Sequence, residues 1–142
     1  MDWQSFGNVY NDISVDQRSV DWFLLGYEEG SKNHIKLIGK GEGALNEMSQ
    51  KLSEEKVAFG YLKVYSESND PPQMAAVDYV HITFIGKRVK AQERARAVIH
   101  SLDIHQAFPR FTIEFEANSL EDLSMERLRK ELKEMQEMLS ME

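Results

Sequence analysis

The sequence predicts an α/β fold: a single domain whose five-stranded mixed β-sheet is sandwiched between helices. Three observations lead there. The chain has 142 residues, 42% of them hydrophobic and 29% charged, which suits one domain built on one core. Five segments are dense in strand formers, and the segments between them carry helical spacing. The connections also differ in kind. Short connections make neighbouring strands antiparallel, whereas a helix between the fourth and fifth makes that pair parallel. Residues 1–142 therefore read as one domain, with 134–142 as a C-terminal helical extension.

The elements follow in order. Trp3, Phe6, Tyr10 and Ile13 recur at three and four and predict a short helix over 3–15. Residues 19–27 (SVDWFLLGY) predict a strand. Turn chemistry at 28–31 then leads to a second strand at 34–38, completing a hairpin. Glycines at 39, 41 and 43 punctuate the chain before a helix over 44–52, with Leu45, Met48 and Leu52 on one face. Residues 56–66 (KVAFGYLKVYS) predict the third strand. The loop at 67–74 holds Pro71 and Pro72, which a sheet interior excludes, and the fourth strand follows at 75–85. A basic helix comes next, bounded by Pro109, and Phe111, Ile113 and Phe115 alternate with polar residues to give the fifth strand at 111–115. The last helix is predicted to start near 118–122, where a capping oxygen precedes acids, and to run to Leu139. Leu128, Leu132, Met135 and Leu139 form its seam. Glu126 and Lys130 form an i,i+4 pair in the favourable order.

Composition narrows the function classes. A formal net charge of -7 argues against general nucleic-acid binding, which rests on positive surface charge. The absence of cysteine removes disulfides and thiolate metal sites and suits a reducing, cytoplasmic setting. No apolar run reaches transmembrane length, and the N-terminal stretch lacks a basic-then-apolar leader. His34, His81, His100 and His105 show no metal-ligand spacing, so no metal or cofactor is expected. Gly39, Gly41 and Ala44 match G-x-G-x-x-A, but a strand with His34 and Lys36 in alternation is not the buried first strand of a dinucleotide site. A turn is the better reading of these glycines, and a nucleotide-binding enzyme is the weakest of the functional readings.

The stretch 77–102 runs against the global charge. It holds Lys87, Arg88, Lys90, Arg94 and Arg96 against the single acid Glu93. On a helical wheel Ala91, Ala95, Val98 and Leu102 form an apolar stripe with Ile99 beside it, predicted to dock the helix on the sheet. Lys90 and Arg94 flank that stripe on one side and Arg96 on the other. As like charges at i,i+4 they cost the helix roughly 0.2–0.5 kcal/mol. A solvated face and a binding site for an acidic partner account for this charge about equally well.

Several strings in fixed order then carry a resemblance. Residues 57–64 (VAFGYLKV), 81–86 (HITFIG), 93–96 (ERAR) and 131–133 (ELK) resemble the actin-depolymerising-factor homology domain, and within it the coactosins, over nearly the whole chain. The resemblance implies the fold predicted above and a non-enzymatic actin-binding module. In such domains the helix after the I-T-W-I-G-like strand meets actin, and coactosins favour filaments without severing them. Arg94, Arg96, Arg129 and Lys133 match basic family positions, whereas Lys87, Arg88 and Lys90 are assigned to actin by their charge. One position departs: Asp78 stands where coactosins usually carry a lysine important for filament binding. The expected function is thus cytoplasmic, cytoskeleton-associated actin binding, to filaments rather than monomers. The alternative keeps the fold and uses the seam of the last helix, extended by Met138 and Met141, for homo-oligomer formation. Packing within the chain is the better reading for Leu123, Leu128 and Leu132.

Overall fold

The structure is a computed structural model that describes residues 3–14, 20–31, 33–65 and 77–141. Its elements are α1 (Trp3–Ser14), β1 (Trp22–Tyr27), β2 (Ile35–Gly41), α2 (Ala44–Ser49), β3 (Val57–Tyr65), β4 (Val77–Ile85), α3 (Ala91–Ala107), β5 (Ile113–Ala117) and α4 (Met125–Ser140). The expected proline-containing loop at 67–74, and the expected strand starts at Ser19 and Ala75, lie outside the described residues. The sheet order is β2-β1-β3-β4-β5. β1 pairs antiparallel with β2 and β3, and β3 with β4, while β5 joins β4 in parallel across the α3 crossover. The mixed sheet follows from its connections, as the sequence implied.

Period-2 alternation splits the apolar residues between two faces. On one, α1 contributes Phe6, Val9 and Ile13, and α3 contributes Ala97 and Ile104. They cover Phe23, Phe59, Tyr61, Tyr79 and Ile85. On the other, α2 contributes Leu45 and Met48, and α4 contributes Leu128 and Leu132, over Trp22, Leu24, Leu62, Val80, Ile82 and Phe84. α3 and α4 thus lie on opposite faces of the sheet. Leu123, Leu128 and Leu132 pack inside the domain, as expected for them.

Four boundaries differ from expectation, each for a local reason. β2 extends through Gly41, so Gly39 and Gly41 are strand residues paired with Leu24 and Trp22 rather than a turn. A side chain would be crowded there: a Cβ on Gly39 would lie 3.1 Å from the Trp22 ring, and one on Gly41 would lie 1.7 Å from Glu47 Oε1 and 2.8 Å from the Trp22 indole nitrogen. That nitrogen donates to Glu47 Oε1 at 2.8 Å, and this use of the glycines leaves no phosphate cradle. α2 ends at Ser49, short of Leu52. β5 begins at Ile113 rather than 111, because Phe111 is held in a tight turn by its N–H to the Pro109 carbonyl. Residues 120–122 form a separate 3-10 turn whose Asp122 N–H donates to Ser119 Oγ. α4 starts only at Met125, where the Arg127 N–H donates to Ser124 Oγ.

Candidate functional site

The basic segment begins with a turn pinned to the sheet. Gly86 N–H donates to the Lys56 carbonyl at 3.2 Å and Arg88 N–H to the Glu54 carbonyl at 2.9 Å, while Val89 is buried beneath them. Gly86 lies so close to Glu54 that a Cβ would come within 2.0 Å of its carbonyl oxygen. This anchorage fixes Lys87 and Arg88 on the outside of the molecule, both exposed. Arg88 Nη1 reaches Glu55 Oε1 at 3.4 Å. Both side chains are well over half exposed, so the pair contributes less than about 1 kcal/mol. Lys90 is the N-cap of α3 with extended backbone (φ -68°, ψ 154°). It therefore stands outside the helix proper, and the i,i+4 repulsion expected with Arg94 does not arise as a helix-interior pair.

α3 turns the expected face outward. Its buried residues are Ala97, Ser101 and Ile104, followed by Phe108 at the C-cap. Val98, Ile99 and Leu102 are 49%, 62% and 58% exposed, and Ala91 and Ala95 are exposed with them. The stripe predicted to dock on the sheet is the solvent face. Both stripes have helical spacing, and the packed core decides between them. Tyr61 and Tyr79 stack at 5.4 Å, and Phe23 and Phe108 pack against Tyr61, in the same buried cluster as Ala97 and Ile104. Ala97, Ser101 and Ile104 are the side chains that α3 buries. Ser101 satisfies its hydroxyl by donating to the Val98 carbonyl at 2.7 Å.

The outward stripe lies beside Arg94, which is half-buried on its flank. Arg96 is on the opposite side of the helix. It lines a cleft with Tyr27, Glu28, Glu29, Glu55 and Glu93, where carboxylates outnumber it. Arg94 and Arg96, which match adjacent family positions, therefore do not share one surface. At the far end of the strands, on the other face of the sheet, Arg129, Lys130 and Lys133 of α4 line an open groove with Tyr65, Asp78 and Gln136. Arg129 Nη1 donates to the Tyr65 carbonyl at 3.0 Å. Asp78 is tied down there, accepting from Thr112 Oγ1 at 2.7 Å and Gln136 Nε2 at 3.0 Å. The seven predicted basic residues thus form a group at the head of α3, an outlier in Arg96, and a separate group on α4. Lys130 and the exposed apolar residues were not singled out as site residues by sequence reasoning. The signal for the latter is the second stripe at 97, 101 and 104, whose small Ala97 and Ser101 make it less apolar on a wheel than the exposed one.

His81, His100 and His105 lie on or against α3. His81 is 1% exposed and donates Nε2–H to the carbonyl of Phe108, the α3 C-cap, at 2.7 Å. Burial, with His105 beside it, pushes its pKa down to about 4. The Tyr27 hydroxyl donates to His100 Nδ1 at 2.5 Å, and burial raises the Tyr27 pKa to about 12. His105 Nδ1 lies 3.1 Å from Glu114 Oε1; burial lowers its pKa and the carboxylate opposes the shift. Among the described residues no group of three or more His, Asp or Glu side chains is placed to hold a metal, and no helix is long and apolar enough to cross a membrane.

Comparison with known proteins places this geometry. The chain is 26% identical over 121 residues to coactosin of Dictyostelium discoideum, covering 84% of this chain and 80% of that protein. The crystal structure of coactosin from Entamoeba histolytica superposes with a TM-score of 0.80 at 24% identity, covering 91% of each chain. The solution structure of mouse coactosin, an actin filament binding protein, superposes with a TM-score of 0.73 at 20% identity over 93% of this chain and 88% of that one. These superpositions show the same fold, a single domain with a five-stranded mixed sheet between helices, as the sequence implied. Residues 4–133 match the profile of the cofilin/tropomyosin-type actin-binding proteins, and the chain belongs to that family.

Proposed function

We propose that the protein binds actin filaments, without severing them, through the outward face of α3. The carrying observation is the exposure of Val98, Ile99 and Leu102 side by side on the outward face of α3. A contiguous apolar stripe left in solvent is costly unless a partner covers it. Lys87, Arg88, Lys90 and Arg94 border the stripe at its N-terminal end and supply the charge that orients an acidic partner and speeds its encounter. Arg129, Lys130 and Lys133 supply a second contact on the other face and at the other end of the sheet. Two separated contacts favour a polymer, whose successive subunits engage both at once, over a monomer that meets one. Mouse coactosin, named for filament binding, supports the same preference. The role is cytoskeletal and non-enzymatic, set in the cytoplasm.

Filament co-sedimentation of single variants tests the placement. Arg94→Glu, beside the stripe, is expected to weaken filament binding about tenfold, and Arg96→Glu, in the acidic cleft, to leave it within about twofold. Equal losses for the two variants would remove α3's outward face as the contact. A second reading rests on the exposure of Met138, Leu139 and Met141, at 60%, 57% and 84%, beyond the last buried turn of α4. This apolar tail is a surface for self-association, and light scattering over a concentration series decides it, since a monomer throughout removes the reading.

A further inference from the structure

β5 is the outer strand of the sheet: it pairs with β4 on one side, and among the described residues no strand pairs with its other edge. Edge strands expose a row of backbone donors and acceptors that template further pairing unless they are covered. Beside β5 runs a groove against α4, lined by Phe111, Ile113, Met135 and Met138, with a volume of about 420 Å³. Its polar rim is acidic, made of Glu114, Glu131 and Glu134, and Glu116 follows on the same strand. No lysine or arginine lines it. α4 is thus split lengthwise, with Arg129 and Lys133 towards the Asp78 groove and Glu131, Glu134 and Met138 towards β5.

We infer that the β5 edge and the β5–α4 groove form a docking site for an extended segment of another protein in which apolar and basic residues alternate. The backbone of that segment adds a sixth strand to the sheet. Its apolar side chains enter the groove against Met135 and Met138, and its lysines or arginines, which alternate to the other face of the sheet, meet Glu114 and Glu116 beside α3, while Glu131 and Glu134 give the mouth of the groove the negative potential that draws a basic segment in. The methionines suit such a site, because their flexible thioethers adapt to varied apolar partners. A second copy of the chain is a poor occupant. Antiparallel pairing of two β5 strands brings the glutamates of one edge against those of the other, and like charges facing across strands are destabilising. The site carries acid where the proposed actin surface carries base, so the two select partners of opposite charge.

A fluorescent decapeptide of alternating lysine and valine is the probe, titrated against the full-length protein by anisotropy, with hydrogen exchange read across the chain. Binding is expected, together with slowed exchange in Ile113–Ala117. Methylating alternate backbone nitrogens of the peptide is expected to weaken binding at least about tenfold, because strand pairing is lost while charge remains. The exposed double substitution Glu131→Lys with Glu134→Lys is expected to weaken it by about tenfold. Equal binding of the methylated peptide, protection away from β5, or no binding of the probe would overturn the inference. Concentration-dependent protection of β5 without peptide would also overturn it, by making a second copy the occupant.

Discussion

Asp78 stands where the resemblance to coactosins expects a lysine, and its surroundings explain how an acid is accommodated. Thr112 and Gln136 both donate to it, so the carboxylate joins β4 to the chain before β5 and to α4. It also lies in the groove with Arg129, Lys130 and Lys133 and reduces their net charge. Asp78→Lys is therefore expected to have two opposite effects. It removes two hydrogen bonds at a cost of about 1–2 kcal/mol, read as a lower urea midpoint. It also adds a cation to the α4 group and should raise filament affinity roughly fivefold, read by co-sedimentation. Unchanged affinity would show that this groove does not touch the filament. Gly86 belongs to the same scale. Gly86→Ala forces a methyl into the Glu54 backbone and should destabilise the fold by about 2 kcal/mol or more, measurable by urea denaturation.

At the scale of elements, β1, β3 and β4, and the antiparallel and parallel connections, were legible because runs of strand formers and connection length state them locally. The orientation of α3 was not. A wheel weighs each residue by its own hydrophobicity, and the helix carries a bulky stripe through Val98 and Leu102 and a small one through Ala97 and Ser101. Which stripe docks depends on a core contributed by residues distant in sequence, among them Phe23, Tyr61 and Tyr79. The basic residues of the site were legible one at a time as charges against the global trend, but their grouping was not. That requires knowing that α3 and α4 cover opposite faces, and that Arg96 turns into a carboxylate-lined cleft while Arg94 stays beside the stripe. Ala97→Leu tests which stripe docks, since Ala97 is fully buried and a larger side chain there should cost about 1–3 kcal/mol in a urea titration although it adds apolar bulk.

Across the whole molecule, the buried histidines make the fold sensitive to acid. His81 titrates near 6.5 when unfolded and is pushed down to about 4 when folded, so between these values the unfolded chain binds the extra proton. Its contribution to stability is full above about pH 6.5 and is lost as pH falls towards 4, amounting to roughly 3 kcal/mol. His100 and His105 are lowered too, so they act in the same direction. His81→Gln is expected to flatten the fall in urea midpoint between pH 7 and pH 4.5, and an unaltered slope would assign the acid sensitivity to other groups. The most direct test of the outward stripe of α3 is filament co-sedimentation of the double variant Val98→Asp with Leu102→Asp. Both residues are about half exposed, so the urea midpoint should stay near that of the unmodified protein while filament affinity falls by more than about tenfold. A folded double variant that pellets with filaments as well as the unmodified protein would contradict the account.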